Sequence, residues 1–132
     1  MPVSYDHRQW FRRAQLAEKT ADEALLHQLA VDTNFRVRRE VASNLATPPP
    51  VLQELAHDQN DGVRRRLAAH PHANDEVLRI LATDVEKRVR QLVASHDDTP
   101  TDVLEALSGD TVATVRHTAE QRLSGKRPLA DS

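Results

Sequence analysis

The chain of 132 residues has no cysteine, which removes disulfides, thiolate nucleophiles, iron–sulfur ligation and cysteine-based zinc sites together. Glycine and aromatic residues are nearly as scarce, with three Gly, one Trp, one Tyr and two Phe. That composition suits helices better than strands, whose pleated surface favours β-branched and aromatic side chains. An excess of one charge is also missing: 18 basic residues face 20 acidic ones for a net charge of −2. A polyanion-binding field over the whole molecule is therefore not expected, and nucleic acid is an unfavoured partner. No window approaches the length of apolar chain that spans a bilayer, and MPVSYDHRQW has neither the basic nor the apolar region of a secretion signal. These absences point to a soluble, cytoplasmic protein with no membrane partner; its oligomeric state is left open by the sequence, a monomer being the favoured expectation. No GxxxxGK, GxSxG or HExxH run occurs, so no enzyme activity, catalytic residue or cofactor is assigned. The seven histidines are scattered, and no metal ligand is assigned among them.

What the chain does have is a period. Val-Arg stands at Val37-Arg38, Val63-Arg64, Val89-Arg90 and Val115-Arg116, always 26 residues apart. The same step carries Leu29-Ala30 to Leu55-Ala56, Leu81-Ala82 and Leu107-Ser108, and carries Leu25-Leu26 to Val51-Leu52, Val77-Leu78 and Val103-Leu104. A fixed period of this size marks stacked units that cannot bury their apolar faces alone. The reading is all-α: one repeat domain over 1–123, with an N-terminal cap helix in 1–20, two-helix units at 21–46, 47–72, 73–98 and 99–123, and a flexible tail at 124–132. In the cap, Phe11-Arg12 falls in register with Val37-Arg38, and Tyr5, Trp10 and Phe11 are expected to cover the first unit.

Each first helix opens on Asp, Asn, Thr or Pro, residues that satisfy or tolerate the free N–H groups of a helix start. Its apolar residues at offsets 0, 1, 4 and 5, as in Val51, Leu52, Leu55 and Ala56, share one face. Second helices bury Val37, Val41 and Ala42 and their equivalents; in the last unit Glu120 stands where an alanine is expected. One helix of each pair is expected to tighten toward 3₁₀ geometry behind its proline-led start. Asn44, His70 and His96 share a column, with Arg122 as its last member, and the tolerance of Asn and His for left-handed backbone suggests a helix C-cap there.

Two further columns carry opposite charge. Asp32, Asp58, Asp84 and Asp110 each precede Arg38, Arg64, Arg90 and Arg116 by six residues, across the turn between the two helices. An arginine at a helix start opposes the dipole, so a partner is required. Identical pairs in every copy argue for a ladder of charge-assisted hydrogen bonds between units and against an active site, which needs one differentiated member.

The D-x4-V-R pattern resembles the HEAT repeat. VRREVASNLATPPPVLQELAHD and VRQLVASHDDTPTDVLEALSGD are more similar still to the leucine-rich repeat variant family. That resemblance implies a HEAT-like, right-handed α-solenoid of short α or 3₁₀ helices, in a mainly bacterial family. Some such proteins carry an iron–sulfur cluster, and the cysteines that would bind one are not in this chain.

A second stripe on the second helices runs through Arg36, Arg39 and Ser43, then Gly62, Arg65 and Ala69, then Arg88, Gln91 and Ser95, then Thr114, His117 and Gln121. Offsets of three and seven share a helix face, and Arg66 and Lys87 add to its charge. The expected function is a non-catalytic protein–protein interaction module whose basic face, with Arg36, Arg39, Arg65, Arg66, Arg88, Gln91 and His117 as its contacts, takes an unknown protein through an acidic segment. The alternative is a HEAT-like nucleic-acid-binding module using the same stripe.

Overall fold

Val37, Val63, Val89 and Val115 are all fully buried, so the four copies of the Val-Arg pair each turn the valine inward. In the computed structural model, which describes residues 9–126, they lie on the third, fifth, seventh and ninth helices of a chain without strands among the described residues. These helices are α1 (Trp10–Lys19), α2 (Glu23–Leu29), α3 (Phe35–Ser43), α4 (Pro49–Leu55), α5 (Asp61–Ala68), α6 (Asp75–Leu81), α7 (Lys87–Ser95), α8 (Thr101–Leu107) and α9 (Ala113–Lys126). The odd-numbered helices pack in a row, each against the next, while every even-numbered helix from α2 to α8 packs against the odd helix that follows it.

The even helices are seven residues each, too short to persist in water without this packing. Their starts are local chemistry. Asp22 accepts from the N–H of Leu25 at 3.2 Å and Asn74 from that of Val77 at 3.0 Å. Proline stands at the N-cap of α4 and α8 instead. There Thr47 and Thr99, both buried, turn away from the helix they precede and donate to the carbonyls of Val41 (2.8 Å) and Val93 (2.6 Å), closing the end of the helix before. The even helices are α-helical throughout. Neither helix of a pair takes the expected 3₁₀ form: bonds of three-residue reach occur only at the helix ends, as from the Val51 N–H to Pro48 O and from the His57 N–H to Glu54 O.

Leu26, Leu29, Leu52, Leu55, Leu78, Leu81, Leu104 and Leu107 from the even helices meet Val41, Leu67, Val93 and their neighbours from the odd ones in a continuous apolar seam. Full burial of one such side chain contributes about 1.5–3 kcal/mol.

The two ends depart from the periodic reading. In α1, Phe11 is in register with Val37, yet it is 48% exposed; Arg13 and Ala17 face inward instead. Arg13 is drawn in by Asp32, which rotates the helix relative to its sequence register. Trp10 packs at the edge of the core and meets Phe11 edge-to-face at 6.3 Å, while Tyr5 lies outside the described residues. At the other end, α9 continues to Lys126 with Leu123 buried, and Lys126 Nζ donates to the Thr99 carbonyl at 2.7 Å. Residues 124–126 are therefore helix and not tail; residues 127–132 lie outside the described part. Glu120 faces solvent, leaving Ala119 as the buried member of its pair.

Candidate functional site

Successive helical pairs are joined by two ladders, which set the frame for the exposed face. In the first, each arginine reaches forward 20 residues. Arg38 Nε donates to Asp58 at 2.7 Å, Arg64 to Asp84 at 2.7 Å and Arg90 to Asp110 at 2.7 Å, each with a second bond from Nη2 at 3.2–3.3 Å. The aspartate six residues earlier is met through its backbone: Nη1 of Arg38, Arg64, Arg90 and Arg116 donates to the carbonyls of Asp32, Asp58, Asp84 and Asp110. Asp32 is reached by Arg13 at 2.7 Å, 19 residues earlier, and not by Arg12. Each carboxylate also accepts the N–H two residues on, as Asp58 does from Asn60 at 2.9 Å. Hydrogen bonds from the Arg90 guanidinium hold the Asp110 carboxyl below the usual carboxylate range, and raise the Arg90 pKa in return. The arrangement uses the planar fork of arginine in full, which is why lysine would not substitute.

The second ladder runs along the Asn/His column. It is not a left-handed cap: among the described residues no side-chain-bearing residue has positive φ, and Asn44 and His96 sit in extended backbone at φ −73° and −70°. Asn44 Nδ2 donates to the carbonyls of Ala17 (2.7 Å) and Thr20 (2.8 Å). His70 Nε2 lies 2.9 Å from Asn44 O, and His96 Nε2 lies 2.8 Å from His70 O. The other ring nitrogen accepts a backbone N–H in both, from His72 and from Asp98, at 3.0 Å. A carbonyl can only accept, so Nε2 carries the proton and the neutral tautomer is set by its surroundings. Burial, with the nearby His72 and His96, pushes the His70 pKa down against the opposing bond to Asn44. Arg122 ends the column by donating to Ser95 O and to Asp97.

The basic residues of the odd helices fall into two groups. Toward the N-terminal end, Arg36 is engaged, its guanidinium lying 4.9 Å from the Trp10 ring centre and 4.6 Å from that of Phe35. Arg66 donates to Ser43 Oγ at 3.1 Å. Toward the middle, a groove of about 380 Å³ is lined by Arg65, Lys87, Arg88, Gln91, Leu92 and Thr114. Arg65 pairs with Asp61 at 3.3 Å, whereas Lys87 and Arg88 are exposed and make no ion pair among the described residues. His117, 74% exposed in its side chain, stands near Glu120 and outside the groove lining. Arg39, Arg65 and Gln91 share one repeat column, and each holds a buried polar atom without a hydrogen-bond partner among the described residues: Nε, Nε and Oε1. The groove thus brings Arg65, Arg88 and Gln91 together and leaves Arg36, Arg66 and His117 outside it.

Periodic reading of polar identity at residues 44, 70 and 96 carried the signal for the histidine ladder, since a polar residue kept at every step beside buried alanines needs a polar partner. The Arg79–Asp102 pair between α6 and α8 repeats, one 26-residue step on, the bond from Gln53 Nε2 to Glu76 at 3.0 Å between α4 and α6, and the change from amide to guanidinium at the first position hid that column in the sequence.

Compared with known families, residues 35–60 match the model of the leucine rich repeat variant. Nothing among the curated proteins or the solved structures matches the chain.

Proposed function

From the likeness of residues 35–60 to the leucine rich repeat variant, we propose that the whole chain is a right-handed HEAT-like solenoid, one domain of four 26-residue two-helix units behind an N-terminal half-unit. It acts as a monomeric, cytoplasmic, non-catalytic protein-interaction module. Stacked arrays of this kind make extended surfaces, and the odd-helix face is the surface with charge to spare. The observation that carries the reading is the pair Lys87 and Arg88, exposed beside Arg65 with no carboxylate of their own among the described residues. Cations left unmatched in this way favour an acidic segment and suppress basic partners. The Asp–Arg ladder, by contrast, has the same geometry at its three internal rungs, Arg38–Asp58, Arg64–Asp84 and Arg90–Asp110, which supports a structural role for it.

A labelled poly-glutamate peptide titrated at about 50 mM salt, where ionic contacts are least screened, tests the reading by fluorescence anisotropy. Binding is expected for the wild-type chain and lost in the Arg39→Glu, Arg65→Glu, Arg88→Glu triple variant, with little change in melting temperature. Equal binding by the triple variant would rule out this face.

A further inference from the structure

The groove between α5, α7 and α9 asks for more than negative charge. Thr118 Oγ1 donates to the Thr114 carbonyl at 2.9 Å, so toward Gln91, 2.7 Å away, that hydroxyl can only accept. This fixes the Gln91 amide with Nε2 on Thr118 and leaves Oε1 as an acceptor lacking a donor. On the same groove Arg65 has the reverse deficit, an Nε–H lacking an acceptor. A ligand that answers all three features supplies a carboxylate, an N–H and a carbonyl within a space of about 380 Å³.

We infer that the groove takes an acidic residue of a partner polypeptide in extended conformation. Its carboxylate meets Lys87 and Arg88, a neighbouring backbone N–H donates to Gln91 Oε1, and a backbone carbonyl accepts from Arg65 Nε. A phosphodiester chain offers charge without a donor on its backbone, and a helix spends its N–H and C=O groups internally; an extended peptide has both free. Both orphaned atoms are buried as the chain stands, so the ligand must turn the half-exposed Arg65 side chain (38%) to reach them, a side-chain change of the kind common when partners meet. Leu92 gives the stem of the acidic side chain an apolar wall. The inference rests on the basic-face reading and sharpens it.

Two probes separate the two levels: a labelled peptide with glutamates spaced by glycine and serine, and inorganic polyphosphate, which has charge but no donor. Gln91→Met keeps volume and removes the acceptor, and Arg65→Lys keeps charge and removes Nε. Each is expected to weaken the peptide about tenfold while leaving polyphosphate within about twofold. Loss of both probes alike, or of neither, overturns the inference while the basic face stands. Should either variant fail to fold, wild-type protein with peptides N-methylated at the amides gives the same answer: about a tenfold loss supports the inference, and unchanged affinity overturns it. If wild-type protein binds neither probe, the basic-face reading falls and the inference with it.

Discussion

His96 donates its Nε2–H to the backbone carbonyl of His70 at 2.8 Å, and His70 does the same to Asn44, 26 residues before it. Each ring is used as a neutral two-ended connector, with its Nδ1 accepting the N–H of a residue in its own loop. Asn44 shows that an amide serves equally, since its Oδ1 accepts from Ala46 N–H at 2.8 Å while its Nδ2 donates onward.

The pH response follows from this connector. The His70 pKa is lowered by burial, so between the ordinary histidine value of about 6.5 and the lowered one the unfolded chain binds more protons than the folded chain. Stability is then fully present above about pH 6.5 and declines as pH falls toward the lowered value. Asp110, held down by Arg90, adds a separate loss below about pH 4. Urea melts across pH should show both limbs in the wild type. His70→Asn should remove the upper limb and keep the lower one; an unchanged upper limb would show that His70 is not its source.

Removing one side of a ladder rung should be costly. Asp84 accepts two bonds from Arg64 and one from the Glu86 N–H, and the pair is only 12% and 6% exposed. Asp84→Ala should destabilise by about 3 kcal/mol, the low end for breaking a buried pair. Adding Arg64→Met should recover part of this and not all, because the Asp58 carbonyl then loses the Arg64 Nη1 bond. Chemical denaturation of the three variants checks the order.

Core and surface leucines should separate widely. Leu78, fully buried, should lose about 2–5 kcal/mol on change to alanine, whereas Leu45, 63% exposed, should stay within about 0.5 kcal/mol. Similar losses at the two sites would contradict the described packing.

Two helical glycines should respond with opposite sign. A Cβ at Gly125 meets nothing, while one at Gly62 falls 2.9 Å from Asn60 Oδ1, the atom that caps α5. Gly125→Ala should stabilise by up to about 1 kcal/mol through helix propensity, and Gly62→Ala should destabilise by about 1 kcal/mol as the cap is displaced. Thermal melts of both variants give the signs.

The helical architecture was legible because it is periodic: Val37, Val63, Val89 and Val115 announce the step, and the short even helices follow from Val51-Leu52 and its copies. The pairing of the charged columns was legible only in outline. The six-residue spacing of Asp58 and Arg64 brings the side chain to a backbone carbonyl, whereas the carboxylate partner, Asp84, comes from the next turn of the stack, a relation that chain proximity hides. Register failed at α1, where the pull of Asp32 on Arg13 outweighed the apolar claim of Phe11. In the Asn44 column the C-cap position holds for Asn44 and His96, whereas the left-handed backbone does not: hydrogen-bonding demand sets the residue type there. On the exposed face, charge marked Arg65 and Arg88, but the fixed amide of Gln91 depends on Thr118, 27 residues away.

Among the described residues, no side-chain hydrogen bond reaches further than 27 residues along the chain. Tension applied at the two termini would therefore peel such a chain in instalments, one turn of the stack after another, and a released piece would re-form against whichever neighbour still stood.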